Sequence, residues 1–202
     1  MKKKVLLIAV ALILVCAISV LGTVAYLQKV TNPVKNTFIA AGGGSLASGM
    51  TLVENKVAMD ENGVYTLTGE TTNANEYQVM PGMVLPKNPT ITVEGKTSAP
   101  AYLYVEAVSS LTGAYVWEMD DNWVALNAKG INGGDLYVYN APVTADGEDL
   151  SFNVIKDQQI VVADADLSAQ GELVLDFYAF LAQTNVGSET DALVVYNTCF
   201  AG

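Results

Sequence analysis

The amino-acid sequence predicts an all-β protein, an antiparallel β-sandwich of jelly-roll or immunoglobulin-like type with a short C-terminal helix. Three observations carry this expectation. Runs of β-branched and aromatic residues recur about every eight to twelve positions, separated by Gly, Asn, Asp and Pro. No mid-chain stretch offers the roughly ten residues of helical periodicity that a parallel α/β sheet needs for its crossovers. The 202 residues are 51% apolar and 15% charged, enough for a packed core and unlike a disordered chain.

The runs follow in order. Residues 64–68 lie between Asn62-Gly63 and Gly69, and residues 90–93 run into Gly95. Residues 101–105 follow Pro100, and residues 115–117 and 123–126 flank the turn Asp120-Asp121-Asn122. Residues 136–139 follow Gly133-Gly134; residues 152–155 and 160–162 come next, and 173–181 is the longest run. The helix is expected near the end. Ser188 or Thr190 would cap it, Glu189 and Asp191 suit its positive end, and Ala192, Val195, Tyr196 and Cys199 share one stripe.

The N-terminus reads as a targeting segment. Lys2, Lys3 and Lys4 precede residues 5–22, which carry no charge, and the small residues Thr23-Val24-Ala25 then match a signal-peptidase site. Cleavage between Ala25 and Tyr26 makes residues 1–25 a signal peptide; retention would make them an anchor, with the lysines inside. Both readings export the globular part and limit membrane contact to the leader. A lipoprotein reading of Cys16 is weak, because Val15 stands where a small residue is needed. Three units result: the leader 1–25, an N-terminal segment 26–44 containing a glycine tether, and a sandwich 45–202.

Composition excludes several functions. Acidic residues number 21 against 10 basic ones, all lysine, and histidine is absent. Without histidine there is no Ser-His-Asp or Cys-His nucleophile and no imidazole-bound zinc. Removing the leader leaves seven lysines and a net charge of −14, from the 21 acids and the 10 lysines less Lys2, Lys3 and Lys4. Such a chain repels nucleic acid and anionic polymers. Cys199 is then the only cysteine, so the fold depends on its core and not on an internal disulfide.

Acidic clusters invite metal readings that the spacing does not support. After Asp164-Ala165-Asp166 an EF-hand loop needs glycine at 169 and glutamate at 175, where Ala169 and Leu175 stand. Asp146, Glu148 and Asp149 read equally as a charged hairpin tip. The expectation is therefore no catalytic residue, no metal and no cofactor. Tyr102 with Tyr104, and Tyr137 with Tyr139, form same-face pairs in their strands. They read either as packed or half-exposed faces or as surface aromatics for glycan stacking or subunit contact.

Several stretches carry a family likeness by their order. Gly22-Thr23-Val24-Ala25-Tyr26-Leu27 is followed by Asn36-Thr37-Phe38 and Gly42; Pro81-Gly82 precedes Pro86-Lys87-Asn88-Pro89-Thr90-Ile91-Thr92-Val93 and Ala101-Tyr102-Leu103-Tyr104-Val105; Trp123 precedes Tyr137-Val138-Tyr139. The chain thus resembles the TasA/camelysin-like family, exported Gram-positive proteins with a SipW-type signal peptide. The resemblance implies a secreted sandwich and, as in the best-known members, a subunit of biofilm matrix or cell-surface fibres grown by N-terminal donation. The metalloprotease label attached to camelysin does not carry over, since no HExxH zinc helix is present.

The residues themselves agree with such assembly. The segment from Tyr26 carries Val30, Val34 and Phe38, while Pro33 and the glycines at 42–44 argue against a rigid place in its own domain. An extended segment added to a sheet edge gains main-chain hydrogen bonds, and head-to-tail donation yields open filaments. The expected partner is another copy of the chain, with other matrix subunits as additional partners. Two alternatives stand beside donation: the segment folds back as the first strand of its own sandwich, or forms a disordered stalk. A monomeric adhesin or glycan binder is the alternative function.

Overall fold

A computed structural model describes residues 28–30, 49–164, 173–184 and 190–201, with the side chains of 28–30 and 96–98 excluded. Thirteen strands, one α-helix and a 3-10 turn (Lys156–Gln158) are described: β1 (Gln28–Val30), β2 (Met50–Met59), β3 (Tyr65–Thr72), β4 (Val84–Pro86), β5 (Thr90–Val93), β6 (Lys96–Ser109), β7 (Tyr115–Val116), β8 (Trp123–Lys129), β9 (Asp135–Tyr139), β10 (Val143–Asp146), β11 (Leu150–Asn153), β12 (Gln159–Val162), β13 (Leu175–Gln183) and α1 (Ala192–Phe200). Every run expected from the sequence overlaps a strand. β1, β2, β4 and β10 are additional.

The strands form three sheets, all with antiparallel pairing. The largest has the order β1-β13-β6-β9-β8, with β10 also paired to β6. A four-stranded sheet runs β11-β5-β2-β3, and a three-stranded sheet runs β4-β12-β7. The architecture is an all-β sandwich. Among the described residues no barrel closes: the large sheet ends in separate edges at β1 and β8.

Side-chain alternation explains the layering. Along β13, Leu175, Phe177, Ala179 and Leu181 enter a core that also takes Leu103 and Val105 from β6, Leu52 from β2, Ile91 from β5 and Ile160 from β12. The intervening Phe180 and Ala182 face the other way, with Tyr104, Leu136 and Val138, and α1 covers them with Val195 and Tyr196. The centre of the large sheet is therefore buried on both faces. Such a strand reads as a continuous apolar run, which is why 173–181 is the longest in the sequence.

The C-terminal helix is capped by Asp191, whose carboxylate accepts from the backbone N–H groups of Leu193 (3.0 Å) and Val194 (3.1 Å). This corrects the expected cap: Thr190 instead accepts a hydrogen bond at its carbonyl from the Tyr102 hydroxyl, and Ser188 lies outside the described residues. Asp191 wins because its carboxylate also faces the positive end of the helix dipole. Val195 and Tyr196 are buried as the stripe requires, and Tyr196 packs edge-on against Tyr104 and Phe180 with ring centroids 5.3 Å apart in each pair.

One polar pair lies inside the sandwich. Glu54 continues the inward positions of Met50 and Leu52 on β2, and it is 1% exposed. Lys87 meets it from the β4–β5 connection: its ammonium donates to Oε1 at 3.1 Å and lies 2.9 Å from Oε2. Tyr77 closes the neighbourhood, donating to the Pro86 carbonyl at 2.6 Å. Removing one member of a buried pair strands the other charge, whereas replacing both with apolar groups removes the desolvation cost as well. Lys87→Met alone is therefore expected to destabilise the protein by about 3–5 kcal/mol. Glu54→Leu in the Lys87→Met background should restore most of that loss in urea unfolding. Equal destabilisation by the single and double variants would contradict this account.

Candidate functional site: the outer edge of β13

β13 has two edges with different occupants. One is taken along its whole length by β6, in a ladder running from Leu175 opposite Ser109 to Gln183 opposite Ala101. Hydrogen bonds from Ser110 N–H to the Val174 carbonyl and from Thr184 N–H to the Pro100 carbonyl, each 3.0 Å, continue the pairing past both ends. The other edge receives β1 antiparallel, with Gln28 opposite Ala182, Lys29 opposite Leu181 and Val30 opposite Phe180. β1 thus pairs with three of the nine residues of β13.

For residues 28–30, the segment expected as a donor lies on its own sheet. For these three residues the pairing is the fold-back alternative to donation, with Gln28–Val30 at the rim of the large sheet. The reason is local: β13 is buried on both faces, so its open edge offers a rigid row of backbone donors and acceptors that any extended segment can satisfy. Tyr26, Val34, Phe38, the junction at Ala25 and the glycine tether lie outside the described residues, as does Asp166 of the acidic turn.

The four tyrosines go to two different places. Tyr104 is fully buried beneath α1, and its hydroxyl donates to the Ala192 carbonyl at 2.8 Å. It is not a surface aromatic, and the correction follows from the helix, which covers the face of β6 that carries it. Tyr102, on the same face, is half-buried with its hydroxyl on the Thr190 carbonyl. Tyr137 and Tyr139 point to the opposite face, half-buried against the main core, and Tyr139 stacks edge-on against Trp123 and Phe152. Register explains the split, since Tyr104 is opposite Val138 and Val105 opposite Tyr137. These rings do not form one contiguous exposed platform.

A buried carboxylate fixes the turn between β8 and β9. Glu106 Oε1 accepts from the backbone N–H groups of Asn132 and Gly134, both at 2.8 Å, and Oε2 accepts from the Asn132 side-chain amide at 2.9 Å. Gly130 passes so close to this carboxyl group that a Cβ there would collide with it. The Tyr196 hydroxyl accepts from Ile131 N–H at 3.1 Å, tying the same turn to α1. With its oxygens engaged by backbone and amide donors, Glu106 reads as a positioning group.

Elsewhere the charges are dispersed. Asp149 accepts from Gly95 N–H at 2.8 Å, holding the β10–β11 turn. Among the described residues, no three of His, Cys, Asp and Glu gather closely enough to hold a metal ion. Each lysine whose side chain is described, at 56, 87, 129 and 156, sits in an ion pair. At Lys156 the hydrogen bond to Asp121 raises the ammonium above its usual value. Comparison of the chain with protein-family models, curated proteins and solved structures gave no match.

Glu54 and Glu106 were not singled out from the sequence, although a signal exists. Each is a lone acid at an inward position of an apolar alternation, Met50-x-Leu52-x-Glu54 and Tyr102-x-Tyr104-x-Glu106.

Burial pushes the phenols of Tyr77 and Tyr104 well above the ordinary tyrosine value, with nearby Glu54 adding to the effect at Tyr77. Burial also raises Tyr137, Tyr178 and Tyr196. The folded chain therefore holds these protons more tightly than the unfolded chain. Their contribution to stability is intact below the unfolded phenol value near pH ~10 and is lost as pH rises past it. Alkaline titration followed by tyrosinate absorbance and circular dichroism should show Tyr77 and Tyr104 ionising together with loss of structure. Ionisation of every tyrosine in a chain that keeps its folded spectrum would contradict this.

Proposed function

We propose that this protein is an exported structural subunit of extracellular matrix or cell-surface fibres, which polymerises by exchanging its N-terminal strand between neighbours. One observation carries the reading: Gln28–Val30 lies on the outer edge of β13 through antiparallel backbone pairing. Its place on β13 is defined by main-chain register, so the corresponding strand of a second copy fits it equally well. An element that pairs identically within a chain and between chains is exchangeable at little cost. Because each subunit gives a strand at one site and receives at another, the contact is head-to-tail and propagates.

The leader-like residues 1–25 and the resemblance to TasA/camelysin-like proteins support export and a fibre role. The chain would act without a catalytic group or cofactor, with copies of itself as its main partners. The alternative of a monomeric glycan binder loses its chief support, since Tyr104 is buried and the tyrosine pairs face opposite sides of the sheet.

The test compares a chain beginning at Tyr26 with one beginning at Ser45, by electron microscopy and size-exclusion chromatography. The longer chain is expected to form filaments and the shorter to remain monomeric. Filaments from both, or from neither, would overturn strand exchange.

A further inference from the structure

The dipeptide Asn-Gly occurs twice in the chain, at Asn62-Gly63 and Asn132-Gly133. Both occupy exposed turns joining antiparallel neighbours, β2 to β3 and β8 to β9, and both glycines have positive φ, 79° and 83°. Their backbone nitrogens are engaged alike: Gly63 N–H donates to the Asp60 carbonyl at 3.1 Å and Gly133 N–H to the Gly130 carbonyl at 3.0 Å. The two sites differ at the asparagine side chain. At Asn132 the amide is fixed by the buried Glu106 carboxylate, which also holds the residue's backbone N–H. At Asn62 the exposed Asp60 carboxylate likewise accepts from the backbone N–H, at 2.9 Å from Oδ1, but the side-chain amide reaches Oδ2 at 3.5 Å, beyond the ordinary range of an N–H···O bond.

From this contrast we infer that Asn62 is a site of spontaneous self-modification, and that Glu106 protects the identical dipeptide at Asn132. The reacting groups belong to the chain itself. The Gly63 backbone nitrogen attacks the Asn62 side-chain carbonyl carbon; the new N–C bond replaces the bond to Nδ2, and ammonia leaves with the proton lost from the glycine nitrogen. Solvent water then opens the resulting succinimide at either carbonyl, giving aspartate or isoaspartate at position 62. No oxidant or reductant is needed. Glycine suits the step because it places no side chain beside the attacking nitrogen. At Asn132 the same attack must first detach the amide from a charged acceptor, and such a bond slows a rate by about tenfold or more.

The product carries one more negative charge at a hairpin tip that already presents the exposed Asp60 and Glu61. Isoaspartate also inserts a methylene into the backbone where Asp60 N–H and the Val64 carbonyl close the turn at 2.9 Å. The β2–β3 hairpin would thus age into a more acidic, distorted form while the β8–β9 turn stays intact.

The experiment is prolonged incubation of the folded chain in mildly alkaline buffer, followed by peptide mapping and ion-exchange chromatography. Conversion at Asn62 is expected to run at least about tenfold ahead of Asn132. Asn62→Gln should abolish the early acidic species. Glu106→Gln should raise conversion at Asn132 toward the Asn62 rate. Because that variant can also loosen the fold, the wild-type chain in concentrated urea supplies a second arm, in which both sites should convert at similar rates. Equal rates in the folded wild-type chain, or faster conversion at Asn132, would overturn the proposal.

Discussion

The pairing of β13 with β6 is the constraint on which the rest of this structure depends. It joins strands distant in sequence along the full length of β13, and it places apolar residues on both faces of the resulting sheet. One face builds the sandwich core with the two smaller sheets. The other requires α1, because Phe180, Tyr104 and Val138 would otherwise be open to water. With one edge bound to β6 and both faces covered, the remaining edge of β13 is its only direction of growth. β1 lies on that edge, and the proposed assembly is an exchange of occupants.

Much of this was legible in the sequence. Period-two patterning and turn chemistry located the β-branched strands, and 173–181 announced itself as the most apolar. β2 escaped because Glu54 and Lys56 interrupt its pattern, and the inward position of Glu54 is matched by Lys87, which arrives from the β4–β5 connection, distant in sequence. The short β4 and β10 owe their strand character to partners in β12 and β6 more than to local propensity. The tyrosine pairs show the same limit. Spacing established that Tyr102 and Tyr104 share a face, but only the packing of α1 decides whether that face meets solvent. The helix itself was visible, yet its cap was not, since three neighbouring residues could each supply an oxygen.

Buried acids do the positioning in this chain. Glu54 ties β2 to the β4–β5 connection, and Glu106 ties β6 to the β8–β9 turn. The four lysines whose side chains are described are each paired with an acid of the same chain, and acids outnumber lysines overall. Contacts between copies through charged surface are then disfavoured, whereas backbone pairing at a sheet edge is indifferent to side-chain charge. Electrostatics and topology therefore favour the same mode of association.

Hydrogen exchange at the amides of Phe180, Leu181 and Ala182 that point toward β1 tests this account most directly. In the chain beginning at Tyr26 they should be protected; in the chain beginning at Ser45 they should exchange rapidly, and a free peptide of residues 26–44 should restore their protection. Unchanged protection without the segment, or a peptide that restores none, would contradict the claim that this edge is filled by an exchangeable strand.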